Sequence, residues 1–344
     1  MHAVLVTNQV LFVGLHLTGH AAMASIPPSF YTLMRVSIAV PLLALVARCE
    51  GPLWDADVRA VAPACAGLGF LGVGVSQYLV LEGNHRAGAA MAAALQPLIP
   101  VLALLLSYAL RIEAYNWKKA VAIFVSVLGA IGLTHVDEGA QHRGPGAALG
   151  ILALAIQVTA YSTFLVGMSM LLRNGRKHVS VRAFVVATFA GWLFLGLLNC
   201  VIVVHDGLDE TRRWMRDAPV LAWLGALYAG VFVSTAAHSG QNWAIARAPS
   251  TTVALYGCIQ PVLGIASAVV LFGDEWEARD FAFMAMVLAG VCGTAFVELQ
   301  TSPSSGAFKP LPAEVDVDIN AAAPAPDVEM VNNPAAPLVP SGHV

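Results

Sequence analysis

The feature that most constrains this chain is a ladder of apolar segments near 20 residues long, running from the first residues almost to position 300. A helix rises about 1.5 Å per residue, so each segment is long enough to cross roughly 30 Å of hydrocarbon. Ten segments can be read, at about 3–23, 29–48, 58–81, 87–110, 116–134, 145–171, 179–204, 218–246, 250–272 and 279–298. In lipid only helices and closed barrels satisfy every backbone group, and period-two alternation is absent, so the segments read as helices. Charge agrees: 11% of the residues are charged, against about 25% in a soluble domain. The net charge of −3, with no basic stripe, excludes a nucleic-acid footprint. The expected class is an all-α integral membrane protein with ten transmembrane helices.

Lysine and arginine set the orientation. With the N-terminus inside, the inner side carries Arg48, Arg59, Arg111, Lys118, Lys119, Arg173, Arg176, Lys177, Arg182, Arg247 and Lys309. The outer side carries Arg86, Arg143, Arg212, Arg213, Arg216 and Arg279, so eleven against six puts both termini in the cytoplasm. No cleavable leader is visible, and the first span is expected to stay. The five cysteines are scattered without metal or redox spacing. Residues 301–344 hold eight prolines, five acids and one lysine, a composition expected of a disordered cytoplasmic tail.

A shift of 164 residues superposes several unusual positions without a gap. Gln77 falls on Gln241, Gln96-Pro97 on Gln260-Pro261, and Glu113-Ala114 on Glu277-Ala278. Each unit holds five spans, and an odd number reverses direction across the membrane, giving an inverted repeat. Pro97 and Pro261 lack an N–H inside corresponding apolar segments and free a carbonyl one turn earlier. Paired interruptions of this kind point to a central binding site with two gates; packing kinks are the alternative.

Polar side chains inside the spans fall into sets. Gln9, His16 and His20 lie within about 20° of one direction on the first helix. Ser234, His238 and Gln241 repeat the idea in the eighth span. Gln77, Gln157, Thr159, Tyr161, Tyr256 and Gln260 add to it. Interhelical hydrogen bonding explains any one of them, while a wet cavity explains the set. Arg35 is the one basic residue well inside a span, and it either snorkels outward or faces the cavity and attracts an anion or zwitterion. No acid lies in mid-span, which argues against a carboxylate proton relay. Small residues, among them Gly67, Gly69, Gly72 and Gly74, the pair Gly146 and Gly150, and the pair Ala226 and Gly230, predict close helix packing.

With these residues in view, the chain resembles the drug/metabolite transporter superfamily with EamA-type repeats, and within it the plant walls-are-thin-related branch. The resemblance rests on Tyr31 through Arg35, Ala39-Val40-Pro41, Gln77, Ala92 through Pro97, Arg111-Ile112-Glu113 and Lys119-Ala120. In the second half Tyr228-Ala229-Gly230, Gln241-Asn242-Trp243, Pro249 and Pro261 carry it. The chain departs from the family pattern at Phe272-Gly273-Asp274-Glu275, where Leu-Gly-Glu is usual, and at Gln96, where Asn or Ser is frequent. The resemblance implies EamA-like repeats over 3–134 and 145–298. It further implies an exporter or facilitator of small organic solutes, such as amino acids or auxin-like metabolites.

The expected function is therefore alternating-access transport of a small-molecule substrate within a lipid bilayer, with no cofactor, no metal, no nucleic acid and no enzymatic step. A homodimer is compatible with it. Arg35, Gln77, Gln96, Gln241, Gln260, Tyr256, His16 and His238 are the expected substrate contacts, and Pro97 and Pro261 the gates. Two other classes compete. One is an intramembrane metal enzyme, with His16 and His20 at i,i+4 joined by His238. The other is a receptor or scaffold acting through the tail.

Overall fold

In the computed structural model, residues 1–23, 25–87, 95–113, 116–133, 146–173, 176–260, 262–263, 267 and 278–301 are described. Among them every regular element is helical. Helix α1 is His2–Met23, α2 Pro28–Ala47 and α3 Ala56–Ala87. Leu98–Ala109 forms α4, Trp117–Leu133 α5, Ala147–Arg173 α6 and Ser180–Asp206 α7. Leu208–Asp217 is α8, Val220–Ile245 α9, Ser250–Leu255 α10 and Ala278–Thr301 α11. Five of these, α2, α3, α6, α7 and α9, are long and apolar enough to span a bilayer.

Local chemistry sets the helix starts. Pro28 opens α2, where a missing N–H costs nothing. Asp55 caps α3 by accepting from the Val58 N–H at 2.9 Å. Arg111, at φ 55, closes α4 in the left-handed conformation and turns the chain toward Glu113. The charged stretch after α7, expected as loop, folds into α8. Its Trp214 ring packs edge-on against Phe30, with centroids 4.5 Å apart.

Two spans are not uniform α-helix. Phe70–Val75 within α3 and Ala229–Ala237 within α9 are wound as π-helix. Gln77 and Gln241 follow these segments. In the second half, α10 tightens into a 3-10 turn at Tyr256–Cys258 before Gln260. Pro97 stands immediately before α4, where Gln96 C=O accepts the Ile99 N–H at 2.9 Å. It thus stands in a two-residue break between helical Leu95 and α4. Residues 88–94 and Pro261 lie outside the described residues.

The packing is reciprocal. Helix α3 lies against α6 and α7, while α9 lies against α1 and α2. Helices α2 and α7, α4 and α10, and α5 and α11 pack as pairs. Missing side chains permit the closest approaches. A Cβ on Gly69 would sit 2.0 Å from the Ala187 carbonyl oxygen, and one on Gly72 2.2 Å from the Phe164 ring. A Cβ on Gly230 would meet Ile38 at 2.7 Å. The expected Gly146/Gly150 packing pair is only half realised. Gly150 abuts Ala87 on α3, but Gly146 has nothing within 4 Å and instead adopts φ +103 at the helix start. Outside the core, Leu197, Val201, Val204 and Val220 are widely exposed, an apolar exterior suited to lipid.

Helices α3 and α6 run antiparallel, with Gly167 against Leu68 near one end and Gly83 against Leu154 near the other. The loops at 48–55, 110–113, 176–180 and 246–249 therefore gather at one end of the bundle. Two carboxylate clusters join them there. Glu50 accepts from the Val181 and Arg182 N–H groups at 3.0 and 3.2 Å and from Ser180 Oγ at 3.2 Å, at the start of α7. Buried Arg182 also bonds Asp55 and donates to the Pro52 carbonyl at 2.8 Å. Glu113 does the same for α10, accepting from Thr251 Oγ1 at 2.7 Å, Ser250 Oγ at 3.3 Å and Lys119 Nζ at 2.9 Å. Asp55's carboxyl is held below the usual range, first by the Val58 N–H and then by Arg182.

Candidate functional site

Between the helices lies a cavity of about 110 Å³. Its polar wall is dominated by amides: Gln9 from α1, Gln77 from α3, Gln96 before α4, Gln157 from α6, Gln241 from α9 and Gln260 beyond α10. Phe12, Ile99, Leu165 and Val253 contribute apolar wall, and Tyr161 and His238 complete the polar set. Small-molecule sites commonly measure ~300–1,000 Å³, so this cavity suits a solute smaller than a drug.

The glutamines are not independent. Gln96 Nε2 donates to Gln157 Oε1 at 3.0 Å, and Gln157 Nε2 donates to Ser76 Oγ at 3.5 Å. Across the cavity Gln260 Nε2 donates to Gln9 Oε1 at 2.8 Å. Tyr161 OH donates to Gln241 Oε1 at 2.9 Å. Arg35 Nη2 donates to Gln77 Oε1. Each of these bonds joins a helix of residues 1–133 to one of residues 146–301, or orients an amide at their junction. A buried amide left unpaired costs roughly 1–3 kcal/mol, so these bonds hold the wall in one arrangement.

The expected contacts fall into three groups. Gln77, Gln96, Gln241, Gln260 and His238 line the cavity together. Arg35 and Tyr256 stand behind it. Arg35 is 2% exposed, which rules out the snorkelling alternative, and it reaches the cavity through Gln77. Tyr256 is buried with its hydroxyl 2.5 Å from His2 Nδ1, one residue from the cavity wall at Gly257. The side chains of His16 and His20 lie outside the described ones, as does Pro261. The histidine metal set therefore has only His238 in view. Its Nδ1 lies 2.8 Å from the Val233 carbonyl, and its ring sits between Phe12 and Phe184. Thr159, grouped with the cavity residues by sequence, is exposed and donates to Ala155 C=O in its own helix. Two positions from Gln157 turn it about 200° away.

Gln9, Gln157 and Tyr161, polar by sequence but not among the expected substrate contacts, also line the cavity. Their signal was available, since Gln9 and Gln157 are mid-span amides of the same kind. The π-helical segments gave no such signal, because FLGVGV and AGVFVSTAA differ little from other small-residue runs.

A helical bundle with an apolar exterior and a central wall of amides is an integral multi-pass membrane protein of the transporter class. The EamA-like transporter family matches residues 5–134 and 148–296, and the chain belongs to this family. A WAT1-related protein of Arabidopsis thaliana is 21% identical over 324 residues, covering 86% of this chain and 78% of the relative. Protein WALLS ARE THIN 1 of the same plant is 20% identical over 328 residues, covering 85% and 81%. The uncharacterized transporter YetK of Bacillus subtilis is 22% identical over 232 residues, covering 67% of each. A solved crystal structure shares the fold with a TM-score of 0.67 at 18% identity, covering 88% of this chain and 98% of that one. The chain is thus a membrane transporter of small molecules.

Proposed function

We propose that the chain carries a small organic solute across its membrane by alternating access, as an exporter or as a facilitator or exchanger. Ten spans form two five-helix halves of opposite orientation, 3–134 and 145–298, with both termini in the cytoplasm and residues 301–344 as a tail. The reciprocal packing supports this reading. A two-fold operation exchanging the halves carries the α3 contacts with α6 and α7 onto the α9 contacts with α1 and α2, and maps α5–α11 onto itself. The observation that carries the function is a cavity lined by amides from both halves, including both members of the Gln77/Gln241 and Gln96/Gln260 pairs. Binding at such a junction couples solute to the relative motion of the halves.

In this reading the substrate is amino-acid-like or auxin-like, an anion or a zwitterion. Gln77, Gln96, Gln241, Gln260 and His238 contact it, and Arg35 and Tyr256 support that wall. Pro97, just before α4, and its repeat mate Pro261 gate it. The Glu50 and Glu113 clusters face the cytoplasm and hold that side shut. The family is one of EamA-like transporters and YetK is named as a transporter, which favours this over a metal enzyme or receptor. Flux through proteoliposomes holding the purified chain, screened over a metabolite panel, tests it. Flux above empty vesicles that falls on Gln96→Leu is expected; no flux for any member of the panel refutes it.

A further inference from the structure

Arginine has five N–H donors and no acceptor, so it dictates which end of a neighbouring amide faces it. Arg35 Nη2 takes the Oε1 of Gln77, which leaves Nε2 and its two donors to the cavity that Gln77 lines. Gln241, the repeat mate of Gln77, is fixed the same way by another group. Its Oε1 accepts the Tyr161 hydroxyl at 2.9 Å, and its Nε2 is the end that remains. Among the described residues neither Nε2 has a protein partner.

Arg35 itself is unusual. It is 2% exposed, and its Nε and Nη1 are buried without a hydrogen-bond partner. No carboxylate pairs with it among the described residues. Its contact with the wall is made through Gln77. An uncompensated buried cation is destabilising, and a neutral solute does nothing to offset that cost. The described wall holds no Lys, Arg, Asp or Glu. A group of one negative charge fits amide donors backed by a single guanidinium, whereas a phosphoryl group calls for direct basic contacts.

We propose that the solute's carboxylate docks on the Nε2 groups of Gln77 and Gln241, with Arg35 and Tyr161 as positioning residues that keep both amides donor-side in. This rests on the transport reading and adds to it the group recognised and the end of the cavity that recognises it.

The test compares carboxylates with their own primary amides: phenylacetate with phenylacetamide, lactate with lactamide, and leucine with leucinamide. Binding to the purified full chain is read by tryptophan fluorescence, and flux by proteoliposomes. In at least one pair the carboxylate is expected to bind about tenfold tighter, close to the worth of one charge-assisted hydrogen bond. Tyr161→Phe frees the Gln241 amide to turn over and should reduce that ratio severalfold. Gln77→Glu gives Arg35 a carboxylate, so thermal stability is kept or raised, but the donors are lost and the preference should vanish. Loss of preference together with retained stability is a result that a purely structural role for Gln77 does not produce. Equal binding and flux within every pair, or a wild-type ratio in Gln77→Glu, overturns the proposal and leaves transport standing. Absence of binding and flux for all six compounds removes both.

Discussion

Glu113 joins the loop after α4 to the start of α10, and its removal has a calculable cost. The carboxylate accepts from Lys119 Nζ at 2.9 Å, Thr251 Oγ1 at 2.7 Å and Ser250 Oγ at 3.3 Å, and the two charged side chains are only 10% and 9% exposed. Breaking a buried ion pair by deleting one partner costs about 3–5 kcal/mol. A hydrogen bond to a charged group adds about 1.5–3 kcal/mol where the donor is stranded, but Ser250 Oγ keeps Ser107 Oγ at 3.1 Å. Glu113→Ala should therefore destabilise the chain by about 4 kcal/mol, close to the cost of the pair alone. The measurement is denaturant unfolding of the detergent-purified chain, followed by tryptophan fluorescence. A double-mutant cycle of Glu113→Gln with Lys119→Met isolates the pair, with an expected coupling of about 2 kcal/mol. A Glu113→Ala cost below about 1 kcal/mol, the range of exposed pairs, or strict additivity in the cycle, refutes the reasoning.

Other outcomes follow from the same geometry. Asp55 has a folded pKa below its unfolded one. Its contribution is therefore complete above the unfolded value, about 3.9, and is lost as pH falls through the folded value. Asp55→Asn should lower stability at neutral pH and flatten its decline below about pH 4, read from thermal melts across pH. Gly69→Ala drives a Cβ into the Ala187 carbonyl and should cost about 1–3 kcal/mol, while Gly67→Ala, with nothing within 4 Å, should leave the melting temperature unchanged. Tyr256→Phe removes the hydroxyl that meets His2 but no cavity wall, so it should alter transport rate more than affinity, measured as concentration-dependent flux.

Much of the bundle is legible from apolar spacing, because lipid leaves the backbone few choices. The observed α2, α5 and α6 begin and end within two residues of their expected bounds. The glutamine pairs are legible because a polar amide is expensive in a span, so its recurrence after 164 residues stands out from an apolar background. What was hidden depends on contact. Glu50 and Arg182 lie 132 positions apart, and nothing local in either marks the other. Tyr161 looked like one polar residue among several until its hydroxyl met Gln241. Thr159 falls outside the cavity set because the helix turns about 200° between it and Gln157. Helix α8 was hidden by charge, since LDETRRWMRD reads as a solvated loop until Trp214 finds Phe30.

The π-wound segments before Gln77 and Gln241 change what chain length means in this protein. Each such turn accommodates a residue that an α-turn does not, so everything beyond it is rotated by about 100° relative to a uniform helix. Deleting one residue between Phe70 and Val75 would let the segment rewind as α-helix with the Gln77 amide still aimed at the cavity, whereas the same deletion in a plain α-helical turn would swing the side chains beyond it by about 100°. Here the wide turn absorbs a change of length without a change of direction, and two relatives of equal length but unequal winding at this point would present different side chains to their solutes.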